Sequence, residues 1–81
     1  MAEPTRLGRR VKRLRERAGW SQHELARRSG VSRSTIAGLE TGDRPSLTLE
    51  NAMKLADALG VSLDLLARGD ILDNDPVATL A

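Results

Sequence analysis

The chain of 81 residues contains no cysteine, and His23 is its one histidine. These absences exclude disulfide scaffolds, cysteine-ligated zinc, thiol nucleophiles and any multi-histidine metal site. Phenylalanine and tyrosine are missing too, so Trp20 is the sole aromatic residue. A lone tryptophan makes no stacking platform for single-stranded bases, and Trp20 is expected in the core or at a helix entry. No apolar run approaches the ~20 residues of a membrane span, and the start Met1-Ala2-Glu3-Pro4 lacks a signal-peptide core. No phosphate loop appears, and His23 has no suitably placed serine and carboxylate pattern. The expectation is a small soluble cytoplasmic protein, not an enzyme, with no metal, no cofactor and no membrane partner. A chain this short buries only ~60% of its unfolded surface, so its core must be economical.

Charge is present in quantity and is unevenly placed. Over the whole chain 13 basic residues face 11 acidic ones, a net of +2. Residues 1–44 hold 11 basic and five acidic groups, a net of +6. Residues 45–81 hold two basic and six acidic groups, a net of −4. Such asymmetry points to a polyanionic partner for the first half, although a solvated, salt-bridged helix surface gives the same counts. Ten of the 11 basic groups are arginine, whose fork suits phosphate and guanine edges better than lysine.

Apolar spacing and punctuation predict five short helices and no strand. Leu7, Val11, Leu14 and Ala18 make a stripe from Thr5 to about Ala18, where Gly19 stops the helix. Ser21-Gln22-His23-Glu24 reads as a capping box, with Trp20 and Leu25 as its hydrophobic staple, opening a helix that Gly30 ends. A third helix opens at Ser32, with Val31 and Ile36 as staple, and runs to about Thr41 before Gly42-Asp43-Arg44-Pro45 breaks it. A fourth begins near residues 46–48 and ends at Gly60, with Leu49, Met53, Ala56 and Leu59 on its apolar side. Ser62 caps a fifth, with Val61 and Leu66 as staple. Beyond Arg68 the pattern lapses. The expected organisation is a domain over residues 1–69 and a tail over 70–81, flexible or part of a dimer interface.

Residues 22–41 carry the functional signal. Two helices joined by a tight turn need a small residue where they cross, supplied by Ala26, and a residue comfortable at positive φ, supplied by Gly30. Leu25, Val31, Ile36 and Leu39 can hold the pair together. This is the pattern of a helix-turn-helix, whose second helix enters the DNA major groove.

In order along the chain stand Leu7-Gly8, Leu14-Arg15-Glu16, Ser21-Gln22, Leu25-Ala26, Gly30-Val31-Ser32, Ile36, Leu39-Glu40, Gly42, Pro45-Ser46 and the run Leu55 to Asp64. On these residues the chain resembles the phage-repressor-like, Xre-type helix-turn-helix domains from about Leu7 to Leu66. The resemblance implies a five-helix bundle that binds operator DNA as a two-fold dimer on a palindromic or near-palindromic site. It implies that Gln22 touches a phosphate and braces the recognition helix. It further implies a partly buried salt bridge between Arg15 and Glu40, with Arg15 structural before it is a DNA contact, and a backbone or minor-groove role for Arg44.

The recognition helix is expected to turn Arg33, Ser34, Ala37, Gly38 and Thr41 outward. Arg33 is the base-reading candidate, since its fork spans guanine O6 and N7; a phosphate clamp is the alternative. Ser34 suits a base or a phosphate, and Thr35 suits the same or the start of its own helix. Ala37 and Gly38 lack hydrogen-bonding side chains, so specificity there would come from thymine methyl contact, shape or water. Gly38 fits either close approach to DNA or a tight crossing within the protein. Arg6, Arg9, Arg10 and Arg13 are candidate phosphate contacts, and His23 is expected to be exposed without a special role. Leu63, Leu65, Leu66, Ile71 and Leu72 offer a dimer surface or simply close the bundle. The expected function is a sequence-specific double-stranded DNA-binding regulator, probed against two alternatives: an antitoxin that autoregulates its promoter, and an adaptor that has lost DNA binding. A toxin or effector partner is not readable from the residues.

Overall fold

The computed structural model describes residues 3–44 and 46–68. Five helices follow one another: α1 (Arg6–Arg17), α2 (Gln22–Ser29), α3 (Arg33–Thr41), α4 (Leu49–Leu59) and α5 (Leu63–Arg68). Among the described residues there is no strand. No helix among them is long and apolar enough to cross a membrane.

Each helix starts where a hydroxyl can accept from an otherwise orphaned backbone amide. Thr5 accepts from Gly8 N–H at 3.1 Å and Ser21 from Glu24 N–H at 3.0 Å. Ser32, Thr48 and Ser62 do the same for Thr35, Asn51 and Leu65 at 3.1, 3.1 and 3.0 Å. The box at α2 is only half formed as expected, because the Glu24 carboxylate pairs forward with Arg27 and Arg28 at 2.5 and 2.6 Å. Two guanidinium charges outcompete a neutral amide for that carboxylate. Between α2 and α3, Gly30 takes φ 80°, the left-handed conformation that turns the chain.

The core is Val11, Leu25, Val31, Ile36, Leu39, Leu55, Ala56 and Leu66, drawn from every helix and the turn before α3. Leu7, Leu14, Trp20 and Leu59 pack against it from partly buried positions. α1 lies on α3 and α5, while α2 lies on α3 and α4. The α1–α3 crossing is unusually close: a Cβ at Gly8 would stand 2.1 Å from the Leu39 carbonyl oxygen. That crossing seats α3 against α1, leaving its opposite face outward.

Three expectations change. In α4 the buried residues are Leu55 and Ala56, whereas Leu49 and Met53 are 67% and 51% exposed. Two overlapping stripes exist in this helix, and the one through Ala52, Leu55, Ala56 and Leu59 wins although its alanines weigh less. Leu66, expected at a dimer surface, is fully buried and closes the bundle from α5. Arg10, expected among the phosphate contacts, is 3% exposed on the inner side of α1. Of the other dimer candidates, Leu63 is half-buried at the start of α5, and Ile71, Leu72 and the 70–81 tail lie outside the described residues.

Candidate nucleic-acid interface

The alternation of α3 sorts its residues into two sets. Thr35, Ile36, Leu39 and Glu40 are buried. Arg33, Ser34 and Thr41 are exposed, and Ala37 and Gly38 are half-buried between them. Arg33, Ser34, Ala37, Gly38 and Thr41 line one open cleft of about 710 Å³, and Arg44 closes it from the following loop. All six were singled out from sequence. Asp43 and Ser46 also line it and were not. Their only signal was adjacency to Arg44, since a loop that carries one side chain into a groove carries its neighbours too.

Thr35 leaves this set as a correction. It is 8% exposed, and its hydroxyl accepts from Ser32 Oγ at 2.8 Å. Its place in the first turn of α3 makes it part of the cap rather than of the outward face. Thr41 remains exposed, yet its hydroxyl donates to the Gly38 carbonyl at 3.2 Å and accepts from the Asp43 amide at 3.4 Å. It therefore shapes the loop as well as the cleft.

Behind the cleft a polar network fixes α3 to α1 and α2. Arg15 Nε donates to Glu40 Oε2 and Arg15 Nη2 to Glu40 Oε1, both at 2.8 Å. Arg15 Nη1 donates to the Trp20 carbonyl at 2.8 Å, and Gln22 Nε2 donates to Glu40 Oε1 at 3.0 Å. The hydrogen bond to Glu40 raises the Arg15 pKa above its ordinary value, against the opposing effect of burial. Gln22 is half-buried at the first position of α2, with one amide hydrogen committed to Glu40 and a second still to donate.

The other arginines divide by environment. Arg27 and Arg28 are committed to Glu24, and Arg28 also lies 4.5 Å from the centroid of the Trp20 ring. Hydrogen bonds from Arg27 and then Arg28 hold the Glu24 carboxyl below its usual pKa. Arg6, Arg9 and Arg13 are exposed along α1. His23 is exposed on α2. Among the described residues no cluster of histidine, aspartate and glutamate is arranged to hold a metal ion.

A helix-turn-helix family model matches residues 11–66, from the middle of α1 through most of α5. The chain belongs to the helix-turn-helix family. Within it, the antitoxin HipB of Escherichia coli is 35% identical over 77 residues, covering 84% of this chain and 82% of HipB. The restriction-modification controller protein C.AhdI of Aeromonas hydrophila is 41% identical, with a TM-score of 0.70 over 75% of this chain and 91% of its own. SinR, a master regulator of biofilm formation solved in complex with DNA, is 30% identical, with a TM-score of 0.72 over 75% of this chain and 97% of its own. The matched span contains all of α2 and α3 and the turn at Gly30 between them.

Proposed function

We propose that the protein is a transcriptional regulator that binds double-stranded DNA through α3, as a repressor acting on a two-fold site. One observation carries this reading: the outward residues of α3 and the loop residue Arg44 converge on a single cleft whose lining includes two arginines, Arg33 and Arg44. In this reading Arg33 reads a guanine edge, Ser34 and Thr41 supplement it, and Gln22 and Arg44 hold phosphates. Ala37 and Gly38 form a floor without hydrogen-bonding side chains, suited to apolar contact with a thymine methyl. Names of relatives with the same fold, a DNA-bound regulator among them, support the same assignment.

The regulator acts as a homodimer. The protein measures 36 × 29 × 24 Å, so two copies side by side reach major grooves about one helical turn, ~34 Å, apart. Leu49 and Met53 on α4, with Leu63 at the start of α5, supply the apolar contact in place of the buried Leu66. Sedimentation of Leu49→Glu/Met53→Glu should give a monomer from a wild-type dimer; two monomers, or two dimers, would reject this surface.

Selection from a random duplex pool tests the main reading. A recovered motif with two-fold symmetry supports it, and affinity should fall steeply with salt, by ~0.9 log units per log unit for each phosphate neutralised. A flat salt response would refute DNA binding. The likeness to HipB favours one second reading, an antitoxin that also represses its own promoter. A toxin co-purifying with the protein would separate the two.

A further inference from the structure

Gly38 is a glycine in the middle of a nine-residue helix, where it weakens the helix relative to alanine. Its backbone is not the reason, since it is not among the glycines at positive φ. The reason is in the space beside it. A Cβ at position 38 would meet Arg44 Cβ at 3.2 Å, with Arg44 N and Nε each at 3.8 Å. The first of these is tighter than ordinary van der Waals contact.

Arg44 has little room to retreat. Its amide donates to the Gly38 carbonyl at 3.0 Å, and the same oxygen accepts from the Gly42 amide at 3.0 Å and the Thr41 hydroxyl at 3.2 Å. The next residue in sequence is Pro45, which narrows the backbone choices of residue 44. One carbonyl thus ties the loop to α3, and the vacancy beside that carbonyl receives the stem of Arg44.

We infer that Gly38 is a positioning residue for Arg44: its missing side chain lets Arg44 lie along α3, so that both arginines face one cleft and Arg44 meets a DNA phosphate there. This rests on the DNA-binding reading of the cleft. A different cause would be direct approach of DNA to the bare helix at Gly38. The two causes differ in how Gly38 and Arg44 couple.

A double-mutant cycle on the selected duplex separates them. Gly38→Ala and Arg44→Ala should each weaken binding about tenfold, the scale of one charge-assisted contact. The double variant should also lose about tenfold, because the second change removes nothing further. Both single variants should flatten the salt response by about one phosphate, ~0.9 in slope. Gly38→Ala should not lower Tm, since alanine favours the helix. A hundredfold loss in the double variant, or unaltered binding by Gly38→Ala, would overturn the inference. Hydrogen exchange at the Arg44 amide supplies a readout without DNA. Faster exchange in Gly38→Ala supports the displacement, and unchanged exchange overturns it. If the wild-type protein binds no duplex, the DNA reading falls by itself, and the exchange result still decides the geometry.

Discussion

Replacing Glu40 by alanine should remove a large share of the protein's stability. The carboxylate is 4% exposed and accepts three hydrogen bonds, two from Arg15 and one from Gln22. Its loss leaves a guanidinium that is only 12% exposed, held by the Trp20 carbonyl alone among these partners. Orphaning one member of a buried pair costs ~3–5 kcal/mol. The exposed edge of Arg15 admits some water, so the lower end, about 3 kcal/mol, is expected here. For a domain of this length that is a fall in Tm of roughly 12–24 °C. Thermal unfolding followed by circular dichroism reads it directly. Glu50→Ala is the control, because its pairing with Lys54 is exposed at 78% and 42%, and such pairs contribute ~0–1 kcal/mol. Arg15→Met/Glu40→Leu should recover most of the loss, since neither charge is then stranded. The reasoning fails if Glu40→Ala and Glu50→Ala shift Tm alike, or if the double replacement is worse than Glu40→Ala.

Three further outcomes follow from other parts of the molecule. Gly8→Ala should destabilise by at least ~1–3 kcal/mol despite alanine's better helix propensity, because its Cβ collides with backbone at Leu39; an unchanged urea midpoint would contradict the crossing geometry. Arg33→Ala should relax preference at one base position, worth ~1–3 kcal/mol there, whereas Arg44→Ala should weaken all duplexes similarly; a uniform loss for Arg33→Ala would remove it from base reading. Glu24 has a folded-state pKa below its unfolded one, so its contribution is present above the unfolded value of ~4.3 and is lost as pH falls through the folded value. Glu24→Gln should therefore flatten the acid limb of stability against pH, and an unchanged limb would discount the triad with Arg27 and Arg28.

Much of this architecture was legible because its determinants are local. Ser21 and Ser32 announce helix starts from within three residues, and Gly30 announces the turn between them. The outward face of α3 was legible too, since the 3.6-residue period assigns Arg33, Ala37 and Thr41 to one side once Ile36 and Leu39 are inside. Errors arose where the decision is tertiary. Periodicity pointed to the side of α4 with Leu49 and Met53, and packing against α2 and α5 chose Leu55 instead. Arg10 looked like its neighbours Arg9 and Arg13 because charge is usually solvated, yet the inner side of α1 takes it. Thr35 belongs to the cap by hydrogen bonding that no propensity describes. Gly38 is open between two explanations in the sequence, and the 3.2 Å from its would-be Cβ to Arg44 Cβ is visible only in the folded chain.

The two sets of residues on α3 share no member. Positions 35, 36, 39 and 40 hold the helix in the bundle, and positions 33, 34, 37, 38 and 41 hold nothing in the hydrophobic core. On the proposed DNA-binding reading, substitution of the second set alters what is recognised while leaving the scaffold's folding free energy nearly untouched. A lineage of such chains can move from target to target by small steps, each step viable, because foldability and preference are written in different letters of one nine-residue word. Gly38 and Thr41 cross that division through the loop they hold, and a change at Gly38 is spelled jointly with Arg44.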